Sequence, residues 1–362
     1  MQFLKRPFKK IYFFFIKIFF ETLYGSIRPI KNQCDGKFDL IKIKFSGNAN
    51  KEYEIYEISN ARIYTDLSQN VAIIKKGEIY EKLSTQLENN CPVDLSKNGI
   101  LKTGTRRFIQ KKIKGNVLSL IQGASATENY GHWLLDIIPK LIIVKKFREL
   151  NSFDAILLPN LKKRFQKDSL EYFNLTNSKI LDGSEIRHIS ADKITIPSHP
   201  YWELYKHQFE TVANVDKDIL HSIRQIYLSD KNLNEPKKKE KIFIDRSDSK
   251  FKHNKLVNNA EIIKYLEEKN FSIIRLSELS FDEQIKLFYN AKAIIGTHGA
   301  GLTNLMFCKP STKIIEIGDP NSDCYVFKNI SKIQNLDYKF IKPEAVSSKF
   351  GDMKINTEDL EI

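Results

Sequence analysis

The apolar positions of this chain change period along its length. Between residues 37 and 82 they follow short-range alternation. Lys37-Phe38-Asp39-Leu40-Ile41-Lys42-Ile43-Lys44-Phe45 reads as a half-buried strand, with Arg62-Ile63-Tyr64 and Val71-Ala72-Ile73-Ile74 as shorter ones. Lys76-Gly77 carries a hairpin-turn signal. Residues 131–149 have a helical pattern, Ala155-Ile156-Leu157-Leu158-Pro159 reads as a buried strand, and 162–173 as a helix. Lys193-Ile194-Thr195-Ile196-Pro197 predicts another strand and residues 203–227 another helix. A polar stretch from Ser229 to Glu240, with Pro236 and three consecutive lysines, then interrupts the pattern as a linker.

Beyond the linker, strand and helix alternate regularly. Strands are predicted at 241–245, 271–275, 293–295 and 313–317, and helices at 256–269, 281–290 and 300–307. Such alternation means a parallel sheet with helices on both faces, whose ligands bind at the carboxyl ends of the strands. The fold class is therefore α/β with a β-rich N-terminal section. The expected organisation is a basic aromatic segment over 1–27, an N-terminal domain over 28–228, the linker 229–240 and a C-terminal domain over 241–362.

The first segment has its own character. Lys5, Arg6, Lys9 and Lys10 precede an apolar run from Ile11 to Phe20 that still contains Lys17. The run is about half of the ~20 residues that a spanning helix needs. No small-residue cleavage site follows it, so a cleaved signal peptide is not expected. A basic, aromatic-rich stretch of this kind suits an interfacial helix on an anionic membrane, over residues 1–24. The alternative is a helix docked on the protein's own body or on a partner.

Length and composition narrow the picture only in part. The 362 residues suffice for two full cores, and 41% hydrophobic and 28% charged residues are ordinary for a globular chain. The net charge of +14 would suit nucleic acid, anionic lipid or phosphorylated ligands. Runs such as Lys111-Lys112 and Lys237-Lys238-Lys239 read as solvated faces. Nucleic-acid binding needs aromatics interleaved with the basic residues, and outside the N-terminal segment there is no such stripe, so no nucleic-acid partner is expected. Cys34, Cys91, Cys308 and Cys324 have no paired spacing and predict neither a zinc site nor a disulfide framework; a reduced, cytoplasmic compartment fits.

Three strings carry candidate chemistry. The first is Gly296-Thr297-His298-Gly299-Ala300-Gly301-Leu302-Thr303-Asn304, a strand end, a glycine turn and a helix start. It offers backbone N–H groups and a helix dipole to a phosphate or diphosphate. No Gly-Lys-Ser/Thr follows and the third glycine of a dinucleotide fingerprint is missing, so neither an NTPase loop nor a dinucleotide site is indicated. His298 either donates to a phosphate or holds the turn. The second string is Tyr130-Gly131-His132-Trp133-Leu134-Leu135-Asp136 with Pro139. His132 and Asp136 share a helix face and suit an oriented general base, or equally a structural pair. The third is Asp245-Arg246-Ser247-Asp248, with Lys255 and Asn258 beyond it. Arg246 at a strand end suits a bidentate phosphate contact; its alternative is an ion pair with Asp245 or Asp248. The lone Asp-x-Asp string, Asp216-Lys217-Asp218, falls inside a predicted helix and reads as a solvated face rather than a metal site.

These strings, in this order and together with Leu279-Ser280-Phe281-Asp282-Glu283-Gln284, Phe307 and Glu316, resemble glycosyltransferase family 61, over roughly residues 55–320. That family includes bacterial capsular-polysaccharide enzymes and eukaryotic xylosyl- and N-acetylglucosaminyltransferases. It usually has Arg where Lys255 stands; Lys keeps the charge and loses the planar fork. The resemblance implies a GT-B architecture of two Rossmann-like domains facing across a cleft. It also implies an inverting, metal-independent transfer from a nucleotide sugar, expected to be a UDP-sugar, to a glycan or glycolipid acceptor of a surface polysaccharide, with no cofactor. The donor would sit on the C-terminal domain at Arg246, Lys255 and His298 to Asn304, with Glu316 accepting from ribose hydroxyls. The acceptor would lose its proton to His132 or Asp136. A non-catalytic nucleotide- or glycan-binding module would present the same residues.

Overall fold

Strand pairing gathers the short alternating runs of the N-terminal half into one large sheet. The structure, a computed structural model, describes residues 2–360 except 31–38, 46–50, 66–69, 90, 106–108, 123–127, 204–205, 207–211, 213, 230–232, 234–239, 249–254, 319–324 and 348–351. The chain forms two compact α/β units, residues 1–163 with 173–211 and residues 164–172 with 212–362. Most of the 229–240 stretch lies outside the described residues.

In the first unit eleven strands form the sheet: β1 (Arg28–Ile30), β2 (Asp39–Lys44), β3 (Glu52–Thr65), β4 (Asn70–Lys75), β5 (Glu78–Tyr80), β6 (Thr85–Glu88), β7 (Cys91–Val93), β8 (Lys111–Ser119), β9 (Ala155–Leu158), β10 (Lys179–Asp182) and β11 (His188–Pro197). Their order is β1-β5-β4-β3-β11-β8-β9-β10, with β2 on β3 and the β6–β7 pair on β4. The β4–β5 hairpin turns at Lys76 and Gly77, as the sequence predicts; both have positive φ (50° and 77°), the left-handed pair that matches strand twist. Along β4, Val71 and Ile73 face one core while Ala72 and Ile74 face another, so the strand is buried on both sides.

Two strands are longer than their apolar runs suggest. β3 extends to fourteen residues although Glu57 and Asn60 interrupt its pattern. Glu57 is buried because Arg148 (3.2 Å), Lys193 (3.3 Å) and the Thr195 hydroxyl (3.2 Å) surround its carboxylate. β11 begins at His188 rather than Lys193, because a register shift between Ala191 and Lys193 breaks its alternation against β8.

Helix α1 (Gln2–Tyr24) lies on this unit by one face. Lys17 donates to the Leu101 carbonyl at 3.3 Å, Arg62 to the Tyr24 carbonyl at 3.0 Å, and the Tyr24 hydroxyl accepts from the Gln110 N–H at 3.2 Å. Phe8, Ile11, Phe14, Phe15, Phe19 and Leu23 of this helix are exposed. Among the described residues no helix is long and apolar enough to cross a membrane. After the short α2 (Ile100–Thr103), α3 (Tyr130–His132) continues through a π turn, Trp133–Ile137, into α4 (Ile138–Phe147). Pro139 has no N–H to offer the Leu135 carbonyl, and the ladder widens just before it: the Ile138 N–H bonds Trp133, five residues back.

In the second unit, β12 (Lys241–Ile244), β13 (Ser272–Ile274), β14 (Ala293–Thr297), β15 (Lys313–Ile317) and β16 (Asp337–Ile341) form an all-parallel sheet. Their spatial order is β13-β12-β14-β15-β16. A further pair, β17 (Glu344–Ser347) and β18 (Asp352–Lys354), is antiparallel. Its helices among the described residues include α5 (Arg164–Glu171), α6 (Lys217–Leu228), α7 (Asn259–Glu268), α8 (Phe281–Asn290) and α9 (Val326–Ile333), and a 3-10 helix over Ala300–Phe307. The predicted 203–227 helix is corrected here: its regular part starts at Lys217, and much of 204–213 lies outside the described residues. Asp216 is the reason for that start. Its side chain caps the helix by accepting from Asp218 and Ile219 N–H, so it is a nearly buried cap rather than part of a solvated face.

Candidate active site

In chain order the second sheet reads 2-1-3-4-5, and its direction of winding reverses between the first strand, β12, and the third, β14. Open α/β sheets leave a crevice at that point, outside the carboxyl ends of the two strands. Arg246 follows β12 and the His298–Gly301 turn follows β14, so the fold brings them together there although they are 52 residues apart. Arg246 Nη1 donates to the His298 carbonyl. A Cβ on Gly299 would lie 2.6 Å from Arg246 Cζ and Nη1, so the glycine is what lets the guanidinium lie on the backbone. Its φ of 168° is extended and asks nothing special of the residue. Asp245 does not hold Arg246: its carboxylate takes Arg275 (3.0 Å), Ser247 and Asn259. Asp248 acts on Arg246 only through its charge.

Ala300 and Gly301 open the 3-10 helix, and its first internal bond is Leu302 N–H to the Gly299 carbonyl, at 2.9 Å. Their own N–H groups precede that ladder and suit an anion. His298 stands beside them, 20% exposed at its side chain, and its Nδ1 lies 2.5 Å from Glu316 Oε1. Glu316 is fully buried and takes the Tyr338 hydroxyl on its other oxygen at 2.5 Å. Both carboxylate oxygens are thus engaged, and Glu316 fixes which way the His298 ring points.

Other residues of the string lie deeper. Leu302, Thr303 and Asn304 are buried; Asn304 donates to Gln284 (3.0 Å) and to the Gly301 carbonyl (3.2 Å), holding the turn from below. Lys255 is exposed, and its carbonyl accepts from Met353 N–H. Among the described residues no hydrogen bond or ion pair joins its ammonium to Arg246 or to the turn.

The other predicted pair lies in the first unit. Asn129 caps α3 by accepting from His132 N–H. One turn on, His132 Nδ1 lies 3.1 Å from Asp136 Oδ2. Asp136 is completely buried and its other oxygen accepts from the Tyr201 hydroxyl, whereas the His132 side chain is 23% exposed. Burial works against the His132 imidazolium, but the hydrogen bond and charge of Asp136 more than offset it, and the histidine pKa ends above its ordinary 6.5.

Sequence patterning alone gives no sign of Tyr201, His199 and Lys140 at this pair. His199 Nδ1 accepts from the Trp202 and Tyr201 N–H groups (3.1 and 3.4 Å), which leaves its proton on Nε2. Among the described residues that nitrogen has no hydrogen-bond partner, and it lies 3.9 Å from Asp136 Oδ1. Lys140, one turn after Asp136, is fully buried and donates to the Leu120 and Gln122 carbonyls; burial lowers its pKa to about 7. Beside this group is a cavity of about 360 Å³, lined among others by Glu54, Glu81, Gln122, His199, Trp202 and Glu203. Among the described residues no group of three His, Cys, Asp or Glu is arranged to hold a metal ion.

Comparison with known proteins places this arrangement among others. The family model described as Glycosyltransferase 61 matches residues 130–315, just over half of the chain and a span from the His132 helix past the glycine turn. An EGF domain-specific O-linked N-acetylglucosamine transferase of Gallus gallus is 31% identical over 86 residues, 24% of this chain and 16% of that protein. A beta-1,2-xylosyltransferase of Arabidopsis thaliana is 36% identical over 85 residues, 22% of this chain and 16% of the relative. The Drosophila melanogaster EGF domain-specific transferase is 31% identical over 106 residues, 28% and 20% of the two chains. The matched segments span a sixth to a fifth of these relatives' length.

Proposed function

Since the chain belongs to the glycosyltransferase 61 family, we propose that it is an inverting, metal-independent glycosyltransferase of GT-B type that uses a nucleotide sugar, with UDP as the favoured nucleotide. The observation that carries the reading is the meeting of Arg246 with the glycine turn at the switch point of the parallel sheet. In this reading the donor diphosphate lies over Gly299, Ala300 and Gly301, and Arg246 and His298 supply side-chain donors. Glu316 acts as a positioning residue for His298 rather than a ribose ligand, because both its oxygens are engaged.

The base is His132. Asp136 is sealed from solvent with His132 and Tyr201 on its two oxygens, so it orients the imidazole through Nδ1 and leaves Nε2 to face the acceptor. The acceptor hydroxyl gives its proton to Nε2 as its oxygen attacks the anomeric carbon. The bond from that carbon to the diphosphate oxygen breaks, its electron pair leaves with the diphosphate, and the configuration inverts. Negative charge growing on the leaving group is met by the Arg246 guanidinium, His298 and the turn N–H groups, which is the work a metal ion would otherwise do.

Helix α1 supports a place for this reaction. Its exposed apolar residues and the sequence-adjacent Lys9 and Lys10 suit the inner, anionic face of a cytoplasmic membrane, where glycan and glycolipid acceptors of a surface polysaccharide are assembled.

The test is a panel of nucleotide sugars in excess EDTA, read by released nucleotide and by the anomeric configuration of the product. Turnover with inversion is expected. Absolute dependence on added Mn²⁺ sinks the metal-free mechanism, and donor binding without turnover on any glycan acceptor leaves a binding module instead.

A further inference from the structure

The cavity of the first unit differs in charge from the rest of the molecule. The chain carries a net +14, yet the cavity's charged lining residues are Glu54, Glu81 and Glu203 against Lys82; Lys82 pairs with Glu54 at 4.0 Å and Lys206 with Glu203, which leaves Glu81 without an ion pair among the described residues. A wall with an excess carboxylate and no unpaired cation disfavours phosphate and diphosphate, which argues against a second nucleotide seat. It disfavours uronic and other acidic sugars for the same reason. Its volume, about 360 Å³, lies within the roughly 300–1,000 Å³ of small-ligand sites.

The rest of the lining says what would fit. Trp202 lines the cavity together with two prolines and several aliphatic residues, and the glutamates and Gln122 line it with them. A neutral sugar ring has the complementary surface: apolar C–H faces, and a rim of hydroxyls that donate to carboxylates. Two buried polar atoms of lining residues, Trp202 Nε1 and His199 Nε2, have no hydrogen-bond partner among the described residues.

Two of the cavity's lining residues, His199 and Gln122, connect it to the surroundings of the His132–Asp136 pair. His199 lines it and directs Nε2 toward Asp136 at 3.9 Å. Gln122 lines it, and its carbonyl holds the Lys140 ammonium on the helix that carries Asp136. A ligand that moves Trp202 or Gln122 therefore reaches Asp136 through His199 and Lys140.

We propose that this cavity is the acceptor subsite and that it takes a neutral, unphosphorylated sugar residue of the acceptor glycan against Trp202. The proposal rests on the transferase reading for the word acceptor, and its binding site stands apart from it. Its test is saturation-transfer NMR on the full chain with millimolar mixtures of neutral methyl glycosides (hexose, N-acetylhexosamine and pentose), a methyl uronoside and tri-lysine. Neutral glycosides are expected to give signals that Trp202→Ala weakens at least tenfold and that Arg246→Ala leaves in place. UDP binding is expected to show the reverse dependence, which also reports that Trp202→Ala is folded. Glu81→Lys, at a charged lining residue, provides a second variant and is expected to raise the uronoside signal relative to the neutral ones. Signals from tri-lysine or the uronoside in preference to neutral glycosides overturn the proposal, as do neutral signals insensitive to Trp202→Ala and Glu81→Lys, or no neutral signal at all. Sugar transfer without Trp202-dependent binding sinks the subsite and spares the transferase; Trp202-dependent binding without transfer does the opposite.

Discussion

A carboxylate taken fully out of water must have its oxygens matched, and Asp136 and Glu316 both obey this in the same way. Each gives one oxygen to a partly exposed histidine and the other to a tyrosine hydroxyl. Each therefore holds its histidine in one orientation. If His132 is the base, it works only when neutral, so kcat/KM should rise with pH through an inflection above 6.5, set by the raised His132 pKa. Asp136→Asn removes the charge that raises it, and should both move that inflection down and cut kcat by about 10²–10⁴, the range of general-base catalysis. A pH profile that keeps its inflection in Asp136→Asn speaks against the pair. Gly299→Ala tests the other site: its Cβ displaces the Arg246 guanidinium, and nucleotide-sugar affinity should fall at least tenfold with little change in thermal stability. Calorimetric titration beside a melting curve separates the two effects.

The elements explain why these residues sit where they do. The π turn before Pro139 carries Asp136 inward at a place where every residue from Trp133 to Val144 is buried, and Lys140 is buried with them. A lysine with a pKa of about 7 in the fold and 10.5 when unfolded holds fewer protons folded than unfolded between those values. Stability then rises with pH across that window. Relative to Lys140→Met, the wild type should gain stability from pH 7 toward 10.5, as read by urea unfolding at a series of pH values; a constant offset would mean the lysine is neutral or charged in both states. At α6, Asp216→Ala should cost about 1 kcal/mol through the lost cap. At α1, Phe14→Ser with Phe15→Ser should reduce co-sedimentation with anionic vesicles several-fold and leave soluble-acceptor turnover unchanged; unaltered sedimentation would assign the face to another partner.

At the scale of the whole molecule, ligand binding should register as stability. A nucleotide sugar at a hundred times its Kd stabilises the native state by about 2.7 kcal/mol, and a thermal-shift screen should find one donor that raises Tm where its relatives do not. The shift should vanish in Arg246→Ala and survive in His132→Ala. Much of the second unit was legible beforehand, because a buried parallel sheet writes strand and helix as separate apolar periods, and β14, α8 and β15 stand close to their expected bounds. The first unit was legible only in fragments. In β3 and β11 buried charges and a register shift break the alternation, and only their cross-strand partners complete the strands.

By itself the sequence determined the local chemistry: a glycine turn suited to an anion, a histidine with a carboxylate one turn away, an aromatic and basic first helix, and the order of motifs that marks the family. Tertiary structure decided which of these groups are withdrawn from solvent and which stay accessible. Strand order is a property of pairing across the chain, so only the sheet sets Arg246 on the turn 52 residues later. Burial is set by everything packed around a side chain, so only the fold withdraws Asp136, Asn304 and Glu316 from solvent while leaving His132 and His298 at the edge. The acidic cavity beside Trp202 has no sequence signature at all, because its walls come from segments about 150 residues apart in the chain that no local period connects.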